Sequence, residues 1–80
     1  MVSPKTMAYI SIIAVNETRR VYREDKELPE GGKTAKIRCT IMECLPDTVA
    51  ADMGAREWFL LGTVVGETAR EIRGKCAFDE

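Results

Sequence analysis

The sequence predicts an α+β fold, a small antiparallel sheet of two to three strands packed against one main C-terminal helix. Three stretches carry that expectation. Residues 7–15 are dense in β-branched and aromatic side chains, residues 35–41 alternate apolar with polar, and residues 56–73 place their apolar side chains at helical spacing.

In "TMAYISIIAV", Tyr9, Ile10, Ile12, Ile13 and Val15 are apolar on both alternating faces, which describes a strand over 7–15 covered on two sides. The following "NETRRVYREDKELPEGGK" is polar and ends on Pro29, Gly31 and Gly32, so its second half reads as a surface connection, with 18–23 extending a hairpin. "TAKIRCTIMEC" puts Ala35, Ile37, Cys39 and Ile41 on one face of a strand and Lys36, Arg38 and Thr40 on the other. "LPDTVAADMG" predicts a short helix over 47–53: Pro46 stops the strand, Asp47 can accept from first-turn N–H groups, and Gly54 can take a left-handed exit.

For "REWFLLGTVVGETAREIR", 100° per residue sets Trp58, Leu61, Val65, Ala69 and Ile72 on one stripe, away from Arg56, Glu67, Arg70 and Glu71. A helix is the expectation. Against it, Gly62 and Gly66 each cost about 1 kcal/mol relative to alanine, and Thr63, Val64 and Val65 are β-branched, which keeps a strand with a turn at Gly66-Glu67 as the alternative. Ile72, Gly74, Cys76 and Phe78 alternate with Arg73, Lys75 and Ala77, the pattern of a short closing strand.

Eighty residues support one compact domain, and shares of 45% apolar and 31% charged side chains argue against disorder. Net charge is −1, but residues 1–40 hold eight Lys or Arg against five acids, and 41–80 hold four against eight. Halves of +3 and −4 suit neither a general nucleic-acid binder nor a membrane-surface protein, yet they let opposite halves of two copies attract each other. Cys39, Cys44 and Cys76 contain no C-x-x-C, so reduced thiols in a cytoplasmic protein are expected. The apolar run after Lys5 looks superficially like the start of a secretory signal. A buried strand fits better, because no A-x-A site follows, Glu17, Arg19 and Arg20 come at once, and the run is too short for a bilayer. The "NET" sequon at 16–18 has no meaning without secretion.

The absence of histidine removes the commonest general base and metal ligand. "GGKT" at 31–34 matches only the tail of a phosphate loop, Cys39 and Cys44 point to opposite faces of the expected strand, and the pairs Glu24-Asp25 and Asp79-Glu80 lie in exposed charged contexts. No cofactor, no metal and no enzymatic activity are therefore expected. The most suggestive polar feature is "TRRVYRED", where Arg19, Arg20 and Arg23 surround Tyr22; Lys36 and Arg38 on the open face of the second strand enlarge it. Guanidinium forks beside a ring suit phosphates, bases or acidic protein surfaces. The alternative is a charged arm whose arginines meet Glu24, Asp25, Glu27 or the acidic half of another copy.

Around Trp58 the apolar side chains exceed what one layer covers, since Leu60 and Val64 lie opposite Trp58 and Leu61 on a helix. That points to self-association through Trp58, Phe59, Leu60, Gly62, Val64 and Gly66, the glycines allowing another backbone to approach. The alternative is that helix 47–53 and the chain ends supply the cover while the glycines relieve crowding. In general profile the whole chain resembles the small anti-CRISPR proteins of phages and mobile elements. The resemblance implies a non-enzymatic inhibitor that occupies the surface of a CRISPR effector complex, and it carries over no residue. A homodimer acting on a protein target is thus the first expectation. A nucleic-acid-binding module built on the basic N-terminal half is the second, and an enzyme using Cys76 or a carboxylate is the third.

Overall fold

The computed structural model describes the backbone of residues 2–79 and the side chains of residues 2–73. Four helices follow one another: α1 (Pro4–Glu24), α2 (Glu30–Cys44), α3 (Asp47–Asp52) and α4 (Ala55–Asp79). Among the described residues there is no strand. The expected α+β sheet is therefore overturned in all its parts: residues 7–15 belong to α1, 35–41 to α2, and the segment from Ile72 continues α4.

The reason lies in spacing. Residues four apart share a face in a strand and also in a helix, so Ile37 and Ile41 satisfy both periods. What decides is the longer series: Ile10, Ala14, Thr18 and Val21 in α1, and Lys33, Ile37 and Ile41 in α2 followed by Leu45, are all buried. That is a helical stripe. Tyr9 and Ile12, which a two-sided strand would bury, stand 64% and 60% exposed. Ser3 and Pro4 start α1 by helix-entry chemistry: the Ser3 hydroxyl accepts from Thr6 N–H at 3.2 Å, and Pro4 occupies the first turn, where no donor is needed. Buried threonines cost little here, because Thr18 donates to the Ala14 carbonyl at 2.7 Å and Thr68 to that of Val64 at 2.9 Å.

α1 packs on both α2 and α4. Ile10, Ala14 and Val21 meet Ile37, Ile41, Leu45, Met53 and Leu61 in one core, against which Trp58, Val65 and Val49 are half-buried. α1 and α4 run in the same direction: Val2, Pro4 and Met7 share a hollow with Arg56, Glu57 and Leu60 at one end, and Tyr22 and Lys26 share another with Ile72 and Arg73 at the other. The chain turns between α1 and α2 around Lys33, which is 7% exposed. Its ammonium donates to the carbonyls of Lys26 (3.2 Å) and Leu28 and sits 5.4 Å from the Tyr22 ring centroid. A buried charge is tolerable when carbonyls and a ring surround it in this way. Pro29, Gly31 and Gly32, expected in a surface connection, lie instead at the entry of α2.

The short helix after Pro46 is present as α3. Asp47 is in its first turn without making a side-chain cap, and Gly54 does not take a left-handed conformation. Gly54 serves the start of α4: its N–H donates to Glu57 Oε2 at 3.2 Å and its carbonyl accepts from Trp58 N–H at 3.1 Å. Among the described residues no helix is long and apolar enough to cross a membrane.

Candidate functional site

The basic cluster that is contiguous in the chain is dispersed in space. Steps of 100° along α1 send Arg19 and Arg23 outward and Tyr22 toward α2. Arg20 is bound by Glu17 and, at 3.1 Å, by Glu24; these hydrogen bonds, Glu17 foremost, raise its pKa above the ordinary guanidinium value. The Tyr22 hydroxyl donates to Glu30 at 2.5 Å. Burial first, and the Glu30 carboxylate second, push the phenol above its usual pKa of 10.0. Lys36 pairs with Asp25 at 2.6 Å. Of the six residues expected to contact a partner, Arg20, Tyr22 and Lys36 are thus engaged within the chain, while Arg19 and Arg23 make no ion pair among the described residues.

Arg38 belongs to a different place. Its guanidinium lies 4.6 Å from the Trp58 ring centroid, over a groove between α2 and α4. Thr34, Ile37 and Ile41 form one wall, and Trp58, Leu61, Gly62 and Val65 the other. The groove holds about 220 Å³. That is below the range of roughly 300–1,000 Å³ typical of small-molecule sites, so it suits an inserted side chain better than a free metabolite. Phe59, 74% exposed, stands on the same side of α4 as Gly62 and Gly66.

The residues expected to self-associate are split between two edges of α4. Trp58, Phe59, Gly62 and Gly66 lie toward α2, and Leu60 and Val64 toward the α1 side. A Cβ added at Gly62 or Gly66 meets nothing within 4 Å, so these glycines relieve no crowding in the single chain. Met53 is buried and Val49 half-buried from the α3 segment, yet Leu60 remains 47% exposed and Phe59 more so. α3 therefore does not supply the missing cover.

Cys39 and Cys44 are exposed free thiols, and among the described residues no three His, Cys, Asp or Glu side chains gather as a metal site would require. The side chain of Cys76 lies outside the described residues. The outer face of α1, where Tyr9 and Ile12 stand exposed beside Lys5, Asn16, Arg19 and Arg23, was hidden by the strand reading. Its signal is the alternating spacing of four and three residues along 5, 9, 12, 16, 19 and 23. Comparison with protein-family models, with curated proteins and with solved structures finds no match, so the groove and the two edges of α4 are the ground on which function is argued.

Proposed function

We propose that the chain is a non-enzymatic protein-binding domain whose α2–α4 groove receives an apolar side chain of a target protein, with a target carboxylate meeting Arg38 at the rim. The observation that carries this reading is Phe59, an aromatic ring left 74% exposed beside an apolar groove of side-chain size. Aromatic and arginine side chains are the usual anchors of protein interfaces. Within this reading the anti-CRISPR profile supplies a target class, a CRISPR effector complex blocked by occupation of its surface.

The test is capture of purified CRISPR effector complexes, with target cleavage measured alongside. Wild-type chain is expected to bind and inhibit, and Phe59→Ala or Arg38→Ala to weaken binding by at least about tenfold, a loss of 1.4 kcal/mol or more. Binding unchanged in both variants removes the groove from the site. Failure of every effector to bind removes the target class.

Nucleic-acid binding through the basic half is supported less well, since the residues proposed for it are partly neutralised by Glu17, Glu24 and Asp25. A salt-sensitive complex with DNA or RNA in a gel shift at low ionic strength would reinstate it.

A further inference from the structure

The outer face of α1 carries Lys5, Tyr9, Ile12, Asn16, Arg19 and Arg23 in one stripe, with no carboxylate among them. The flank of α4 that turns away from α2 carries Glu57, Leu60, Val64, Glu67 and Glu71 in another, three carboxylates with a single cation, Arg56, at the margin of the first turn beside Glu57 and Leu60. Both stripes step by alternating threes and fours, the spacing at which one helix lies along another. Each has an apolar pair, Tyr9 with Ile12 or Leu60 with Val64, between charged positions. Lys5, Arg19, Glu67 and Glu71 make no ion pair among the described residues.

The two stripes also match in register. Residues 5, 9, 12, 16 and 19 differ from 57, 60, 64, 67 and 71 by 52 or 51 throughout. A parallel pairing at that offset sets Lys5 against Glu57, Tyr9 against Leu60, Ile12 against Val64, Asn16 against Glu67 and Arg19 against Glu71. Apolar meets apolar, and each charge meets its opposite or an amide.

α1 and α4 already run side by side in the same direction within one chain. A two-fold axis along the helices therefore places α1 of one copy opposite α4 of another, still parallel, and does so twice. We propose that this α1–α4 face binds a second copy of the chain, as a two-fold dimer in which α1 of each copy lies along α4 of the other in this register. The occupant is a second copy because the two stripes complement each other in charge and in register, which an unrelated partner has no reason to do. The paired stripes measure roughly 20 by 20 Å, from a rise of 1.5 Å per residue and helix spacings of 8–10 Å, so the dimer buries on the order of 400 Å² per copy. That lies below the range of stable interfaces and predicts a weak, concentration-dependent dimer. The proposal is independent of the target assigned to the α2–α4 groove.

Sedimentation velocity and light scattering test it with Arg19→Glu and Glu71→Arg, after circular dichroism shows unchanged helicity. Each variant alone brings like charges together twice and is expected to weaken the dimer by at least about tenfold. An equimolar mixture of the two is expected to regain dimer, because each reversed charge then faces its opposite, and the chain carrying both substitutions is expected to dimerise like the wild type. A wild-type monomer at every accessible concentration overturns the proposal. So do single variants that dimerise normally, or a mixture that stays monomeric. If Phe59→Asp dissociates the dimer and Arg19→Glu does not, the second copy sits on the groove between α2 and α4 and this register is wrong.

Discussion

Along one edge of α4 the side chains shrink to Gly62 and Gly66 beside Phe59 and the Arg38-capped groove; along the other, Leu60 and Val64 stand between Glu57, Glu67 and Glu71. The two edges belong to one helix and differ by about half a turn. Both are more apolar than a solvated helix surface requires, but one forms a groove with α2 under a cation, and the other borders the hollow shared with Val2, Pro4 and Met7 and carries Glu57, Glu67 and Glu71. Opposite charge beside similar apolar content makes them fit for different occupants. A helix greasy on nearly every side has thus been divided by its neighbours: Leu61 and Ala69 are consumed by the core, and the surplus is left on two flanks.

The heaviest way to break this comparison is to remove what lies between the edges. Leu61 is 1% exposed and belongs to the core shared with α1 and α2. Leu61→Ala is expected to cost about 2–5 kcal/mol in urea unfolding and to disable both edges together. A loss below about 1 kcal/mol would mean that α4 is not packed as described.

A smaller change sharpens the contrast. Alanine at Gly62 or Gly66 adds a methyl group where the chain has open space, so each substitution is expected to stabilise the fold by about 1 kcal/mol through helix propensity. The same substitutions are expected to weaken target binding at the groove edge and to leave the α1–α4 association untouched. Binding that survives both would show that no partner backbone approaches these glycines.

The smallest expected effect concerns the hairpin that holds α2 in place. Because burial and Glu30 raise the Tyr22 pKa, the protonated phenol is favoured in the folded chain. Its contribution is complete below pH 10, the ordinary tyrosine value, and is lost as pH climbs through the raised one. Tyr22→Phe is expected to flatten that part of the stability profile on the alkaline side and to leave it unchanged near neutrality in slope. A profile identical to the wild type above pH 10 would remove Tyr22 from the account.

The sequence was most legible where an apolar series holds helical spacing over several turns. Trp58, Leu61, Val65, Ala69 and Ile72 span four turns, and the structure turns that stripe inward, with Leu61 and Ala69 buried. The short helix after Pro46 is present, but the Asp47 cap and the left-handed Gly54 expected to frame it are not what forms it. α1 and α2 were not legible as helices, because Ile10, Ile12, Ile13 and Val15 favour strands intrinsically and tertiary packing overrode that preference. Ser3, Pro4 and Thr6 held the contrary signal at the entry to α1, outside the apolar run that drew the eye. The candidate site was half legible. Arg20 does meet Glu24, as the charged-arm alternative anticipates, whereas Lys36, expected to enlarge the open patch, is paired with Asp25, and the exposed ring of Phe59 accords with the excess of apolar residues. Arg38 over Trp58 was out of reach, since only the packing of α2 beside α4 brings residues so distant in sequence together.

That stacking has an optical consequence. Trp58 is the sole tryptophan of the chain, and its indole lines the groove under a guanidinium, so tryptophan emission, excited to the red of the absorption of Tyr9 and Tyr22, issues from one edge of α4 and not the other. A ligand that displaces Arg38 alters the emission, whereas a second copy settling against α1 leaves it as it was, and the two binding events can be followed apart in a single unlabelled sample.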